Sequence, residues 1–217
     1  MPRRGMEQQR RQELVEAAIA EIHEIGSLDV TVGQIARRAG VSSALAHHYF
    51  GGKDDLIIAT MRHLMSVFSG HVRRRLKQAR TPRARLTAII HGSFTADQLQ
   101  PAAMSAWLVF YAMAQASPGA RRLHHVYTAR LHSTLVHTLS ELLPRPGAIM
   151  AARGVAALID GIYLRCALGD ETPDTQEAVA LVEGYLEAML GTRATKARGR
   201  GSPARSAKRI AAEGRNG

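Results

Sequence analysis

Cysteine, strand-forming runs and acidic residues near either end are what this chain has little of. Cys166 is the single cysteine, which excludes an internal disulfide and zinc clusters built on Cys-x-x-Cys pairs, and fits a reducing cytosol. Its neighbours Leu164, Ala167 and Leu168 give it the setting of a core thiol rather than a nucleophile. The N-terminus, "MPRRGMEQQRRQELVEA", is basic but lacks the apolar middle of a secretory signal. No apolar run approaches the ~20 residues needed to cross a bilayer, so a cytoplasmic protein with no membrane partner is expected. Ten histidines include no i, i+4 pair and no companion cysteine motif, which argues against a metal site. No nucleophile–base pattern or phosphate-cradling glycine loop is present, so no catalytic residue and no cofactor is assigned.

What is present is positive charge, unevenly placed. The formal net charge is +11. Residues 1–85 hold 15 Lys and Arg against 8 Asp and Glu, residues 86–190 hold 6 against 9, and residues 191–217 hold 8 against 1. A basic head on a mildly acidic body points to a polyanion met at one end. The last segment, 191–217, has little to bury and much to repel, and is read as a disordered basic tail.

Helix punctuation recurs along the rest. Leu14, Ala18, Ile22 and Ile25 form one face of a helix over 7–25. Thr31 and Gln34 have the spacing of a capping box, a short helix follows to about Ala39, and Gly40 can take the left-handed conformation that ends it. Ser42 or Ser43 can cap a second short helix to about Phe50. A long helix is predicted over 53–79, with Asp54 and Asp55 suiting the positive end of its dipole. Thr81-Pro82, Pro101, Ser117-Pro118, "PRPG" and Thr172-Pro173 open five more, over 82–96, 101–116, 119–143, 147–169 and 173–190. The fold class is all-α: a head at 1–52, with its motif at 31–50, and a helical body at 53–190.

The helix at 43–50 is too short to stand alone. At helical spacing Val41, Ala46 and Phe50 turn inward onto Ile35, Ala36 and Ala39. Ser43, Ala44, Leu45, His47 and His48 are left outward, with Tyr49 at the edge. This face is poorly hydrated but suits a DNA major groove, where hydroxyls and imidazoles bond base edges and Ala or Leu touches a thymine methyl. Thr31, Ser42, Tyr49 and Lys53 suit phosphates, and Arg3, Arg4, Arg10 and Arg11 suit an N-terminal arm. Two helices joined by a tight glycine-containing turn form a helix-turn-helix; a plain helical corner in an all-α core is the alternative.

"TVGQIARRAGVSSALAHHYFGGKDDL" resembles the head of the TetR family of bacterial repressors, through its Ile-Ala-x-x-Ala-Gly-Val-Ser, its Tyr-Phe and its Lys-x-x-Leu. The resemblance implies three DNA-binding helices and a ligand-binding bundle that forms a homodimer. "AAMSAWLVFYA" and "ALIDGIYLR" extend the likeness over about residues 1–190, toward the choline-responsive branch that represses glycine-betaine synthesis genes. Two departures stand out. Ala44 replaces a frequent Gly, and Ala46 a larger aliphatic, which alters how deeply the second short helix sits.

In the body, Trp107, Phe110 and Tyr111 share one helical face. They read either as core packing or as a wall of an aromatic cage for a quaternary ammonium such as choline, with Phe94, Tyr127 and Tyr163 as further members. Asp160, inside an apolar helix, needs a partner if buried: an ion pair, helix-start N–H groups across a dimer seam, or a ligand cation. The resulting expectation is a dimeric repressor that binds double-stranded operator DNA and is released from a palindromic operator by choline. A regulator answering another small or lipophilic cation, a small all-helical enzyme, and an architectural DNA-binding protein are the alternatives. The last two body helices are expected to pair with their symmetry mates through Ala151, Ala152, Gly154, Ala156 and Ala157, and through Ala178, Val182, Tyr185 and Met189.

Overall fold

The computed structural model describes residues 2–27, 29–169 and 174–199, with side chains over 6–27, 29–169 and 174–191. The helices run in the order α1 (Pro2–Ile25), α2 (Val32–Arg38), α3 (Ser43–Phe50), α4 (Lys53–Leu76), α5 (Pro82–Ser93), α6 (Pro101–Ala116), α7 (Pro118–Leu139), α8 (Arg145–Leu168) and α9 (Thr175–Gly199). No strand occurs among the described residues.

Local chemistry sets most of these boundaries. The Thr31 hydroxyl accepts from the Gln34 N–H at 3.2 Å while the Thr31 N–H donates to Gln34 Oε1 at 2.8 Å, which is the reciprocal capping box. At the other end of α2, Gly40 has φ +66°. There the Gly40 N–H donates to Arg37 O and the Val41 N–H to Ala36 O, the two bonds that close a helix through a left-handed residue. Thr81 and Ser117 cap α5 and α7 ahead of their prolines.

Three elements differ from those expected. α1 starts at Pro2 rather than at residue 7, so the segment expected as an N-terminal arm is helical; the side chains of Arg3 and Arg4 lie outside the described residues. α5 stops at Ser93 because Phe94 leaves the helical path (φ −128°, ψ 67°) and drives its ring fully into the core. α9 continues to Gly199, past residue 190 where the body was expected to end, and residues 200–217 of the expected tail lie outside the described residues.

The head packs α1, α2, α3 and the start of α4 around Leu14, Ala18, Ile22, Ile35, Ala46 and Leu56. In the body, α6 lies against both α7 and α8 and also against α1, and α4 lies against α5. The α4–α5 seam is closest at Gly92, where an added Cβ would sit 2.8 Å from Val72 Cα. Backbone cannot move aside as a side chain can, so Gly92→Ala is expected to cost about 2 kcal/mol and to lower Tm by roughly 4–8 °C. Thermal unfolding by circular dichroism checks this, and an unchanged Tm refutes the close seam. Gly154 is a useful contrast: an added Cβ there meets the hydroxyl end of Tyr185, a side chain that can rotate away.

The last two helices correct the sequence reading. Ala151 and Ala152 are fully buried within the chain, as are Ala178 and Val182, and Tyr185 covers Gly154. These residues hold α8 and α9 to the body rather than facing outward. Of the other expected seam residues, Ala157 is exposed and Ala156 and Met189 are half-buried, and the apolar residues left open on α8 and α9 include Met150, 64% exposed, Leu168, 68%, and Leu181, 53%. α8 is also the one helix among the described residues with the length and mean hydropathy of a membrane span, although it holds no unbroken apolar run of that length. Arg153, Asp160 and Arg165 interrupt it, and Val155, Ile159 and Tyr163 bury one of its faces in the body.

Candidate functional site

Two places gather the residues singled out in the sequence. The first is the outer face of α3. Ser42, Ser43, Ala44, His47 and His48 are exposed, Leu45 and Tyr49 are half-buried, and Ala46 and Phe50 turn into the core. Burial of Ala46 lets α3 lie close on its neighbours, so the smaller residue at this position sets the seat of the helix. The Ser42 hydroxyl accepts from the Leu45 N–H at 3.2 Å, which leaves its own proton free to donate outward. Thr31 is more committed: its hydroxyl donates to Gln34 Oε1 at 2.7 Å, so a phosphate would have to compete with the cap. Lys53, half-buried, opens α4 beside this face.

His47 is held by a feature that sequence reasoning missed. Its Nδ1 lies 2.6 Å from Gly51 O, and Gly51 has φ +79°, a backbone setting reserved in practice for glycine. An Nδ1–H donated to that carbonyl leaves Nε2 as the outward-facing nitrogen. Arg11 is a second such feature. It donates to Tyr49 O at 2.8 Å and lies 4.7 Å over the Phe50 ring, so it pins the end of α3 to α1 instead of extending as part of an arm. Arg10 pairs with Glu13 on its own helix. Arg38 pairs with Glu21 and Glu24 of α1, whereas Arg37, one position earlier, is exposed.

The second place is an aromatic cluster at the junction of α6, α7 and α8. Trp107 is its centre, with ring centroids 5.5 Å from Tyr127, 5.9 Å from Tyr111, 6.1 Å from Tyr163 and 6.3 Å from Phe110. Phe94 stacks on Tyr163 at 6.0 Å. All six candidate rings therefore fall in one neighbourhood. His124, not among the expected ligand residues, joins it 5.6 Å from the Tyr111 ring.

The hydroxyls and the carboxylate of this cluster are distinct in role. Tyr163 donates to Ser93 O at 2.6 Å, satisfying a carbonyl freed where α5 ends, so its hydroxyl does structural work. Tyr111 donates to Asp160 Oδ1 at 3.2 Å, which selects a partner for Asp160 within the chain. Burial pushes the Asp160 carboxyl above the usual carboxylate range, against the opposing effects of the Tyr111 hydroxyl and of His124. Burial likewise raises the Tyr111, Tyr127 and Tyr163 phenols, so all three are neutral donors at neutral pH. The Trp107 indole N–H is buried and meets no acceptor among the described residues, an arrangement that costs about 1–3 kcal/mol. Rings and a carboxylate of this kind suit a cation that cannot donate hydrogen bonds. Among the described residues no three His, Cys, Asp or Glu side chains gather as a metal site would require.

Comparison with known proteins matches two families to separate stretches of the chain. The family described as bacterial regulatory proteins, tetR family, matches residues 14–60, and the BetI-type transcriptional repressor C-terminal family matches residues 82–191. The HTH-type transcriptional regulator BetI of Brucella melitensis is 52% identical over 190 residues, 88% of this chain and 96% of that protein. The BetI regulator of Rhizobium meliloti is 47% identical over 190 residues, 88% and 94%. Among solved structures, a putative transcriptional regulator from Pseudomonas aeruginosa superposes with a TM-score of 0.70 at 26% identity, over 87% of this chain and 94% of that one. Another, from Saccharomonospora viridis in complex with choline, gives 0.72 at 21% identity, over 83% and 96%.

Proposed function

The chain belongs to the TetR family of DNA-binding regulators, among its BetI-type transcriptional repressors, and from that membership we propose that it represses genes for choline conversion to glycine betaine and leaves its operator when choline binds. Residues 1–52 form the reading head and residues 53–190 the effector-binding and dimerisation body. Ser43, Ala44, Leu45, His47 and His48 face the bases, and Ser42, Tyr49, Lys53 and, less directly, Thr31 face phosphates. Two heads related by a twofold axis read two half-sites of a palindrome about one helical turn, ~34 Å, apart. The exposed Met150, Leu168 and Leu181 supply an apolar face on α8 and α9 for the partner subunit.

The observation that carries the choline reading is the Asp160 carboxylate bonded to Tyr111, whose ring lies in one cluster with those of Trp107 and Tyr127. A trimethylammonium group is held by ring faces within ~6 Å of its centre, and the carboxylate supplies the opposite charge. The unpaired Trp107 N–H suits the ligand's hydroxyl oxygen. Rings already 5.5–6.3 Å apart leave no room for a cation between them, so binding must separate α6 from α7 and α8. That displacement reaches the head directly. Ser105, two residues before Trp107, has its Oγ 3.0 Å from His23 Nδ1 on α1. Choline thereby favours a head spacing that misfits the operator, and the coupling is reciprocal.

The test is a titration of choline against the operator complex at fixed salt, with sedimentation of the same sample. Choline is expected to weaken the complex at least tenfold, from a dimer. If choline leaves the complex intact while another cation releases it, the effector assignment falls. A monomer that binds the operator overturns the dimer.

A further inference from the structure

We propose that the groove between α4 and α7 is a second ligand site, distinct from the aromatic cluster, for a single-chain amphipathic carboxylate. The groove encloses about 560 Å³, within the range that holds drug-sized ligands. Its floor is apolar, with Phe68 buried and Val72 and Leu131 half-buried. Its rim carries the guanidinium groups of Arg62, Arg73 and Arg130, all exposed, and no acidic side chain lines it.

Three like charges are set around an apolar trough. Arg73 donates its Nε–H to Ser69 O at 3.2 Å, which orients its fork, and none of the three arginines pairs with a carboxylate among the described residues. Guanidinium forks match a carboxylate head in a planar, two-point bond, and the apolar floor takes the attached chain. A small anion would gain nothing from Phe68, Val72 and Leu131, and an amphipathic cation would be repelled at the rim. The chemistry therefore selects an anionic head joined to a hydrocarbon chain. This is the reverse of the preference of the Asp160 cluster, although Tyr127 borders both places.

The experiment is isothermal titration of the full-length protein with dodecanoate below its micellar concentration, with acetate, decanoate and dodecyltrimethylammonium as parallel probes. Dodecanoate is expected to saturate at one per chain. Decanoate should bind several-fold more weakly, since each buried methylene changes affinity by about fourfold at most, and acetate should give no saturable signal. Arg62→Gln with Arg130→Gln, both at exposed positions, should weaken dodecanoate at least tenfold while leaving the choline response unchanged. The proposal is overturned by equal binding of dodecyltrimethylammonium, by unchanged affinity in the double variant, or by absence of saturable dodecanoate binding. Loss of dodecanoate binding as protein concentration rises would instead assign the groove to a second copy of the chain, and equally overturns it.

Discussion

Replacing His47 and His48 together by alanine is expected to lower operator affinity by about 100-fold or more while leaving binding to unrelated DNA nearly unchanged. Each good base-edge contact discriminates by about 1–3 kcal/mol, and a dimer presents the pair twice. Both imidazoles are exposed, so their removal opens no cavity. The helix keeps its Ser42 cap and its buried Ala46 and Phe50. Affinity for unrelated DNA comes from charge neutralisation of phosphates, to which these side chains contribute little when neutral. The measurement is the ratio of operator to competitor affinity at one salt concentration, with circular dichroism as the folding control. Retained preference for the operator would remove the outer face of α3 from sequence reading and shift attention to other head residues. Single variants separate the two histidines. His47 is fixed by its bond to Gly51 O, whereas His48 rests only against the tilted Tyr49 ring at 5.6 Å, so His47→Ala is expected to carry the larger share.

How far such a face is legible without coordinates depends on the range over which its causes act. The capping box at Thr31 and Gln34, the left-handed Gly40 and the proline-led starts at Pro82 and Pro118 arise within four residues, and each stands in the structure as the sequence implies. The inward turn of Ala46 and Phe50 follows from a period of 3.6 once a partner helix is assumed. What the sequence cannot carry is the identity of that partner. Arg11 reaches a carbonyl 38 residues away, and nothing in "EQQRRQEL" marks it as a staple for α3 rather than a phosphate ligand. The small residues of α8 were legible as a close-packing seam, but a seam has no label for its neighbour: Gly154 meets Tyr185 of the same chain. The same limit applied in the body. The spacing of Trp107, Phe110 and Tyr111 placed three rings on one face, yet Asp160 found Tyr111 only through packing of helices 49 residues apart.

Asp160→Asn is expected to raise the thermal stability of the unliganded protein at neutral pH while weakening choline by roughly 10- to 100-fold, the loss that follows when one partner of a partly desolvated charge pair is neutralised. The two effects have one origin. Burial raises the folded-state pKa of Asp160 above its unfolded value, so the ionised form is disfavoured by the fold. For an acid raised in this way, its contribution to stability is fully present below the unfolded pKa and is lost as pH rises through the folded pKa. At neutral pH the carboxylate is therefore a liability, and asparagine removes the charge while keeping an oxygen to accept from the Tyr111 hydroxyl. The stability difference should shrink as pH falls through the folded pKa, because the parent side chain is then neutral too. Choline reverses the balance, since a quaternary ammonium beside Asp160 favours the ionised form. The parent protein should consequently lose choline affinity as pH falls through that range, and the variant should show a flat profile over it. Melting curves and choline titrations on both proteins across the acidic range measure this directly. A variant that is less stable at neutral pH, or that keeps the parent's choline affinity and pH dependence, would mean that the Asp160 carboxylate serves the packing of α6 on α8 and does not face the effector.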